Sequence, residues 1–466
     1  MGASLCKSIK KNKIAKKISG YDNDVDTLAG ITEAGNNLTL TLTDATSVAA
    51  SSLNAIDAKT TGVLQVTSTN ITGTAAEIAT AYAANTAGTI TGLGSESITV
   101  DSGTVSVAQV NTLAAATTGT VTATVTEGDV TTLKTIAESG NALSYTVTDA
   151  SVAANDLTTL DAATTGNLTV TSTSITGTAA EIATAYTANT AGTITGLGNE
   201  SVTVNSGTAS VAQVNTLAGA TTGTVTATVT EGDAATLKTI AEAGNALSVT
   251  VTDASVAATD LTAIDAKTTG VVNVSSSTLT GTNAEQLAAY AAHNAGTITG
   301  LDTTFDAASY LASHVDLLKF YGANVAGAKS HFFTYGVSEG RNIDSFDEAS
   351  YLASHTDLLT AFGTNTSSAL NHYVNHGYSE NRSVDTFDEL GYIASYGDLI
   401  GALGTDGSAG TNHYINHGYS ENRSVTFDAS AYLANYADLR TAFGTDQELA
   451  KKHFINHGFA EGRTDA

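Results

Sequence analysis

The stretch VTSTNITGTAAEIATAYAANTAGTITGLG occupies residues 66–94, and it returns almost unchanged as VTSTSITGTAAEIATAYTANTAGTITGLG at residues 170–198. The two copies are 104 residues apart, and SVAQVNTLA at 106–114 recurs at 210–218 with the same shift. Repetition at a fixed period is typical of chains built from similar structural units that stack on one another. The sequence therefore predicts a repeat protein.

Each 104-residue period divides into four shorter units with a common pattern. A strand alternates apolar residues with threonine, as in LTLTLTD (38–44) and VTATVTE (121–127), and a short helix follows it. A glycine is expected to end the helix, as in TTG at 117–119 and 164–166. One apolar anchor near the start of each helix marks each unit. The anchors are Leu28, Leu53, Ile78, Val110, Leu133, Leu157, Ile182, Val214, Leu237, Leu261 and Leu287.

Several of these helices carry a signature at their first residue. A Ser or Thr followed three positions later by Glu or Gln predicts a capping box, in which the two residues satisfy each other's backbone N–H groups. The pairs are Thr74 with Glu77, Ser106 with Gln109, Thr178 with Glu181, Ser210 with Gln213, and Thr282 with Glu285. A single unit of one strand and one short helix cannot bury its own apolar face. We therefore expect residues 20–301 to form an α/β solenoid of about eleven coils, with both ends capped.

A second repeat begins where aromatic residues, His and Arg become frequent. Four units of about 41 residues in 302–466 start with FDxxxY. The Asp of this motif is a good helix N-cap, and the aromatic residues on either side of it predict a hydrophobic staple. The units begin at Phe305, Phe346, Phe387 and Phe427, and their second helices are expected to end at Gly322, Gly363, Gly404 and Gly444. The pattern predicts an all-α repeat domain.

The last helix of each unit carries a histidine motif. HYVNHGYSENR at 372–382 recurs as HYINHGYSENR at 413–423. The pairs His372/His376 and His413/His417 have the i, i+4 spacing that places two metal ligands on one helix face. The first unit has Tyr335 at the position of the second histidine, which favours a structural interpretation. In that interpretation Gly377 ends the helix, and His376 lies in the last turn near the negative end of the dipole.

Arginine and acidic residues supply two further candidates. Arg382, at the end of the motif, is expected to pair with a carboxylate of the next unit such as Asp388 and to fix the stacking angle. DNDVDTLAGITE at 22–33 places Asp22, Asp24 and Asp26 at the first, third and fifth positions of a calcium loop. Thr27 stands where that loop requires glycine, and Asp24 aligns with helix N-caps in later units. No cofactor is therefore assigned, and calcium is the one candidate.

Charge and composition limit the function. The net charge is −26, yet residues 1–19 hold six lysines and no acid, which predicts a flexible basic N-terminal arm. The acidic body argues against binding to nucleic acid. No apolar stretch has the ~18 residues of a membrane span. The N-terminus lacks the apolar core of a cleavable signal peptide. No nucleophile, base or phosphate loop stands out, so we do not expect an enzyme.

The acidic composition, rich in Thr, Ser, Gly and Ala with one Cys and one Met, resembles bacterial surface-layer and type I secreted adhesin-like proteins. The 41-residue repeat is similar to helical repeats of large exported bacterial proteins. The resemblance implies an extracellular or cell-surface location and export without a cleaved N-terminal signal. It also implies a structural or adhesive role, with self-association into a homo-oligomer, lattice or filament. A cell-surface glycan and divalent cations are further expected partners.

Two alternative functions remain. Exposed rows of threonine on the strands resemble the ligand surfaces of ice-binding β-helical proteins, although threonine is also simply a good strand residue on a wet face. The rows are Thr39/Thr41/Thr43, Thr122/Thr124/Thr126 and Thr226/Thr228/Thr230. A fibre subunit of a phage particle is the other alternative.

Overall fold

A computed structural model describes residues 25–466, apart from 33, 44, 45, 102, 206, 276 and 277 and the side chains of 26 and 27. The predicted basic arm at 1–19 lies outside the described residues. The chain divides into two compact units. The first unit runs to Asp253 and includes Ala263–Asn273, and the second holds Ala254–Thr262 and Val274–Ala466.

Strands and short helices alternate throughout the first unit. Its strands are β1 Leu40–Leu42, β2 Val48–Ala49, β3 Leu64–Val66, β4 Asn70–Gly73, β5 Ile90–Thr91, β6 Ser97–Val100, β7 Val121–Thr124, β8 Ala142–Val147, β9 Ser151–Ala153, β10 Leu168–Val170, β11 Ser174–Gly177, β12 Ile194–Thr195, β13 Ser201–Val204, β14 Val225–Thr228 and β15 Ala246–Val251. Its helices are Val25–Ala29, Ala50–Asp57, Ala75–Ala87, Val107–Ala116, Val130–Leu133, Ala154–Ala163, Ala179–Ala191, Val211–Ala220 and Ala234–Leu237. The helix Ala258–Asp265 and the strand β17, Val272–Val274, contain residues of both units.

The strands pair in parallel, each with a strand from a neighbouring repeat. One sheet has the order β2-β4-β6-β7-β8-β10-β12, a second contains β1-β3-β5, and a third runs β9-β11-β13-β14-β15 within the first unit. β8 is long enough to serve two neighbours, because its first three residues pair with β7 and its last three with β10. The predicted alternation of strand and helix is confirmed, and every described strand pair is parallel.

The register places identical positions of successive repeats side by side. Val48 lies opposite Ile71, Ile71 opposite Ile98, and Ile98 opposite Val121, and all four are buried. Ten of the eleven predicted anchors are likewise buried. Leu287 is the exception, since it is partly exposed. The alignment of the third period shows why, because the residue 104 positions after the buried Ile182 is Gln286.

The predicted helix starts agree with the structure better than the predicted helix ends do. All five predicted capping boxes are present. The prediction that the glycine of TTG ends the helix is wrong. The helix before Gly119 already ends at Ala116, and Gly119 has no positive φ. A Cβ on Gly119 would instead overlap the carbonyl oxygen of Glu96, which lies directly before β6. This glycine therefore allows two neighbouring repeats to approach closely.

The second unit begins with alternating strands and helices and continues after β19 as helices only. Its strands are β16 Ser255–Ala257, β18 Thr278–Thr280 and β19 Ile298–Thr299, and the helix Asn283–Ala295 and a 3₁₀ turn, Leu301–Thr303, follow β18 and β19 respectively. Four helical repeats, which we number 1 to 4 and which start at the four predicted Phe residues, complete the unit. Each has three helices and a π-helical segment. The first helices are Ala307–Ala312, Glu348–Ala353, Glu389–Ala394 and Ala429–Asn435.

The remaining helices of the four repeats keep nearly constant lengths. The second helices are Val315–Tyr321, Thr356–Phe362, Gly397–Leu403 and Ala437–Phe443. The third helices are Val325–His331, Thr366–His372, Gly407–His413 and Gln447–His453. The π segments are Phe332–Gly336, Tyr373–Gly377, Tyr414–Gly418 and Phe454–Gly458, and Val337–Glu339 adds a further helical turn in repeat 1. The all-α prediction for this region is confirmed.

The predicted staples and stops of the helical repeats are also present. The staple rings, such as those of Phe305 and Tyr310, lie 5.6 to 5.7 Å apart between centroids in all four repeats. The second helices end at glycines with φ between 56° and 60°. Gly377 is the last residue of its π segment, as predicted. The left-handed turn of the chain follows later, at Asn381, whose φ is 55°.

Candidate interaction surfaces

The histidine motif is built around a buried tyrosine from the first helix of the same repeat. The Tyr351 hydroxyl lies 3.0 Å from His372 Nδ1, and the same contact measures 2.9 to 3.1 Å in the other three repeats. A Cβ on Gly377 would overlap this hydroxyl, which explains why glycine follows the second histidine. The first histidine is therefore a partner of tyrosine, a role that the helix dipole does not account for.

The second histidine of each pair lies beside the first. Ring centroids are 5.7 Å apart for His372 and His376, and 5.5 Å apart for His413 and His417. In the described part of the chain, no three His, Cys, Asp or Glu side chains come together in a way that could hold a metal ion. The structure thus brings each histidine pair together, and among the residues it describes no third ligand joins them. Burial, followed by the charge of Arg382, lowers the pKa of His372.

The predicted arginine partner is wrong. Arg382 Nη1 lies 2.8 Å from Asp357 of the same repeat, and its Nε lies 2.7 Å from Glu380. The left-handed residue Asn381 turns the chain back towards the second helix of its own repeat, so Arg382 does not reach Asp388. The same ion pair recurs in every helical repeat. The other pairs are Arg341–Asp316, Arg423–Asp398 and Arg463–Asp438, each at 2.8 Å.

A lysine makes the contact between repeats that was expected of arginine. Lys451 in helical repeat 4 is buried, and its Nζ lies 2.9 Å from Asp388 of repeat 3 and 2.6 Å from Glu448. Asp388 also caps its own helix by accepting a hydrogen bond from Gly391 N at 2.7 Å. The junction is therefore fixed by a buried lysine between two carboxylates.

A polar groove of about 620 Å³ runs along the later helical repeats. Its acidic lining includes Asp347 and Asp406, which cap helices, and Glu448, which pairs with Lys451. Burial and the neighbouring Asp385, Asp388 and Glu448 raise the pKa of Glu389, which also lines the groove. Because most of these acids already have structural partners, the groove is a weak candidate for ligand binding.

A buried tyrosine–glutamate pair in the first unit was not predicted. Glu96 is 4% exposed and accepts hydrogen bonds from the Tyr82 hydroxyl and from Gly94 N and Ser95 N. Burial and the Glu96 contact raise the pKa of Tyr82. The arrangement recurs 104 residues later, with Glu200 and Tyr186. The repeated GLGxE segment was the available signal, and Thr304 takes the place of the glutamate in the third period.

The remaining predicted residues lie on exposed faces or outside the described residues. Asp22 and Asp24 are not among the described residues, nor is the side chain of Asp26. All nine residues of the predicted threonine rows are exposed. None of the described helices is both long and apolar enough to cross a membrane.

The fourth helical repeat differs from the others at one position of its second helix. Leu318, Leu359 and Ile400 are buried in repeats 1 to 3, whereas Arg440 occupies this position in repeat 4 and is exposed. Its Nη1 donates hydrogen bonds to the carbonyl oxygens of Leu433 and Ala434. Repeat 4 therefore presents a charged residue where its predecessors present an apolar one.

No protein-family model matches this chain, and no curated protein or solved structure is significantly similar to it.

Proposed function

We propose that this protein is a structural or adhesive component of a bacterial cell surface or extracellular assembly, and that residues 20–301 form a solenoid. The order of the strands supports the solenoid, because β2, β4, β6 and β7 pair in parallel in the order of the chain. The buried ladder from Val48 to Val121 joins successive coils through equivalent residues. This is how repeat proteins build one continuous core.

The observation that best supports the proposed function is that the same surface features recur along the chain. Each helical repeat presents the same partly exposed Arg–Asp pair at 2.8 Å, and the strands present rows of exposed threonine. Identical surfaces on one chain can make identical contacts with a second copy, which favours lattices and filaments over single complexes. We therefore expect the protein to associate with copies of itself.

Sedimentation velocity over a wide range of protein concentrations tests this function. We expect the mean mass to grow with concentration, and calcium to change the growth if divalent cations bridge the acidic surfaces. A single monomeric species at every concentration, with calcium and without it, would remove the support for a structural assembly.

Ligand binding by the threonine surface is the second candidate. Thr72, Thr99 and Thr122 lie opposite one another on β4, β6 and β7, which gives a ladder of equal side chains. Ala49 and Ala142 end the ladder on either side, so the regular surface is only three strands wide. Measurement of thermal hysteresis and ice-crystal shape tests this candidate. Crystals that grow as in buffer would exclude ice binding.

A further inference from the structure

The third 104-residue period departs from the first two at one edge of its sheet. In the first period β4 pairs with β6, and in the second period β11 pairs with β13, in each case over four residues. β18 occupies the same place in the third period, and in the described part of the chain it pairs with β16 alone. Its Leu279 is partly exposed, whereas Ile175 at the same position of β11 is fully buried. Among the described residues, no strand therefore pairs with the other edge of β18.

A cavity of about 450 Å³, which we call the β18 slot, lies along this strand. Leu279, Asn283, Gln286, Tyr290 and Asp344 contribute to its lining. The residues that correspond to Asn283 and Gln286 in the earlier periods are Ala and Ile, and both are buried there. The third period has thus replaced core side chains with hydrogen-bonding ones at the positions that face the slot.

One hydrogen bond shows what these replacements do. In the second period, the carbonyl oxygen of Gly177 accepts a hydrogen bond from Asn205 N, just beyond the neighbouring strand, at 3.2 Å. In the third period, Gly281 O accepts a hydrogen bond from the Gln286 side chain at 2.9 Å instead. The glutamine amide thus takes the place that the N–H of Asn205 has in the second period. Because this side chain has rotatable bonds, it can leave the carbonyl to an arriving strand, as in β-strand addition.

Two observations indicate which segment could bind in the β18 slot: the sequences of the strands at this place in the earlier periods, and the acidic side chain in the slot. The strands that fill the equivalent places begin with Ser97-Ile98 and Ser201-Val202, whose apolar residues lie opposite Ile71 and Ile175. Residues 7–11 read KSIKK, which offers the same Ser–Ile step with lysines on both sides. Asp344 lines the slot, and burial together with nearby acids raises the pKa of its carboxyl group, so a cationic partner would relieve an unfavourable charge.

We propose that the β18 slot binds residues 7–11 of a second copy as an added parallel strand, with Ile9 opposite Leu279 and a lysine beside Asp344. This inference rests on the proposed self-assembly, and it identifies a contact through which the copies would assemble. Because the arm and the slot are different surfaces, each copy can receive one neighbour and bind another. Such a contact is heterologous and extends into an open chain unless its geometry closes a ring.

A charge exchange in the full-length protein tests the pairing. The slot variant is Asp344→Lys, and the arm variant combines Lys10→Glu with Lys11→Glu. We expect each variant alone to self-associate at least tenfold more weakly than the wild type, and an equimolar mixture to regain association. Asp385→Lys is the matched control, because Asp385 accepts the same kind of hydrogen bond from Phe387 N as Asp344 does from Phe346 N, at 3.3 Å.

The results separate this inference from the proposed function. Wild-type protein that never associates contradicts both. Assemblies that persist when the slot variant and the arm variant are each tested alone contradict only the proposed arm–slot contact. A mixture of the two variants that fails to regain association contradicts the same contact.

A disulfide measurement keeps the inference testable if a charge variant folds poorly. The proposed register places Ser8 opposite Thr278, so the arm thiol is moved there by combining Cys6→Ser, which removes the one native cysteine, with Ser8→Cys. With Thr278→Cys in the slot of the same chain, mild oxidation should produce chains of covalently linked copies. The control, Ser174→Cys on β11, places the thiol on a strand whose outer edge is already paired. Equal cross-linking of the two variants would overturn the assignment.

Discussion

At the scale of the residue, one tyrosine hydroxyl accounts for two positions of the repeated histidine motif. It contacts His372 Nδ1 at 3.0 Å and occupies the space that a Cβ on Gly377 would need. Neither contact follows from sequence spacing, because Tyr351 lies 21 residues before His372. The sequence predicted the helix and its buried stripe, but the partner of the histidine depends on how two helices pack.

Gly377→Ala should therefore destabilise the protein through steric overlap with Tyr351. Overpacking of a close-packed interior costs about 1–3 kcal/mol, and the midpoint of urea unfolding should fall accordingly. Tyr351→Phe in the same chain should recover part of the loss, since it removes the overlapping oxygen. Gly401→Ala is the control, because a Cβ there meets no atom within 4 Å and alanine favours the helix. If the two glycine variants are equally stable, the packing explanation is wrong.

Tyr145 and Tyr186 should respond in opposite ways to the loss of their hydroxyl groups. The Tyr145 hydroxyl is buried and has no hydrogen-bond partner among the described residues, whereas that of Tyr186 donates to Glu200. A buried polar group without a partner costs about 1–3 kcal/mol, so Tyr145→Phe should leave the stability unchanged or raise it. Tyr186→Phe should lower it. Thermal unfolding of both variants measures the contrast, and a marked loss in Tyr145→Phe would show an unrecognised partner.

At the scale of the element, the TTG segments join neighbouring strand–helix repeats. Thr117 is buried, and its Oγ1 donates to Glu96 O at 2.6 Å and accepts from Gly119 N at 3.0 Å. The sequence correctly marked these segments as the place where one repeat passes to the next. The sequence pattern suggested only a helix end, because a hydroxyl that bridges backbone segments of two different repeats leaves no local pattern.

Thr117→Val should weaken the junction between two repeats without changing the volume of the side chain. The loss leaves the Gly119 N–H without its acceptor, which costs about 1–3 kcal/mol. Chemical denaturation of the full chain measures the change. Thr118→Val is the matched control, since the neighbouring Thr118 is exposed and should contribute less than about 0.5 kcal/mol. Equal effects of the two variants would contradict the bridging role of Thr117.

Histidines at the ends of the third helices should make the stability of the protein depend on pH. Burial, and then Arg382 and Arg463 respectively, lower the pKa values of His372 and His453 from the usual 6.5. The folded chain therefore binds fewer protons than the unfolded chain just below pH 6.5, so stability should fall as the pH drops through this range. Hydrogen bonds from arginine lower the pKa values of Asp398 and Asp438 from 3.8, which adds a further loss below about pH 4.

Unfolding midpoints at pH 7.5 and pH 5.0 measure the histidine contribution. The double variant His372→Asn, His453→Asn should show a smaller difference between the two pH values than the wild type does. An equal or larger difference in this variant would assign the pH dependence to other groups.

At the scale of the whole molecule, repetition explains most of what the sequence could predict. Strand–helix alternation, capping boxes and the aromatic staples are local patterns that recur, so each copy confirms the others. The predictions failed where a side chain reaches a distant neighbour. Arg382 turns to Asp357 instead of Asp388, and the contact between repeats 3 and 4 is made by Lys451. The β18 slot is visible only where the third period departs from the first two.

Electron microscopy of the purified full-length protein, with and without calcium, tests the central claim of a self-assembling structural protein most directly. The account predicts ordered filaments or sheets whose repeat distance is constant, and their loss when the arm and slot carry charges of the same sign. Dispersed single particles of monomer size in every condition would contradict it.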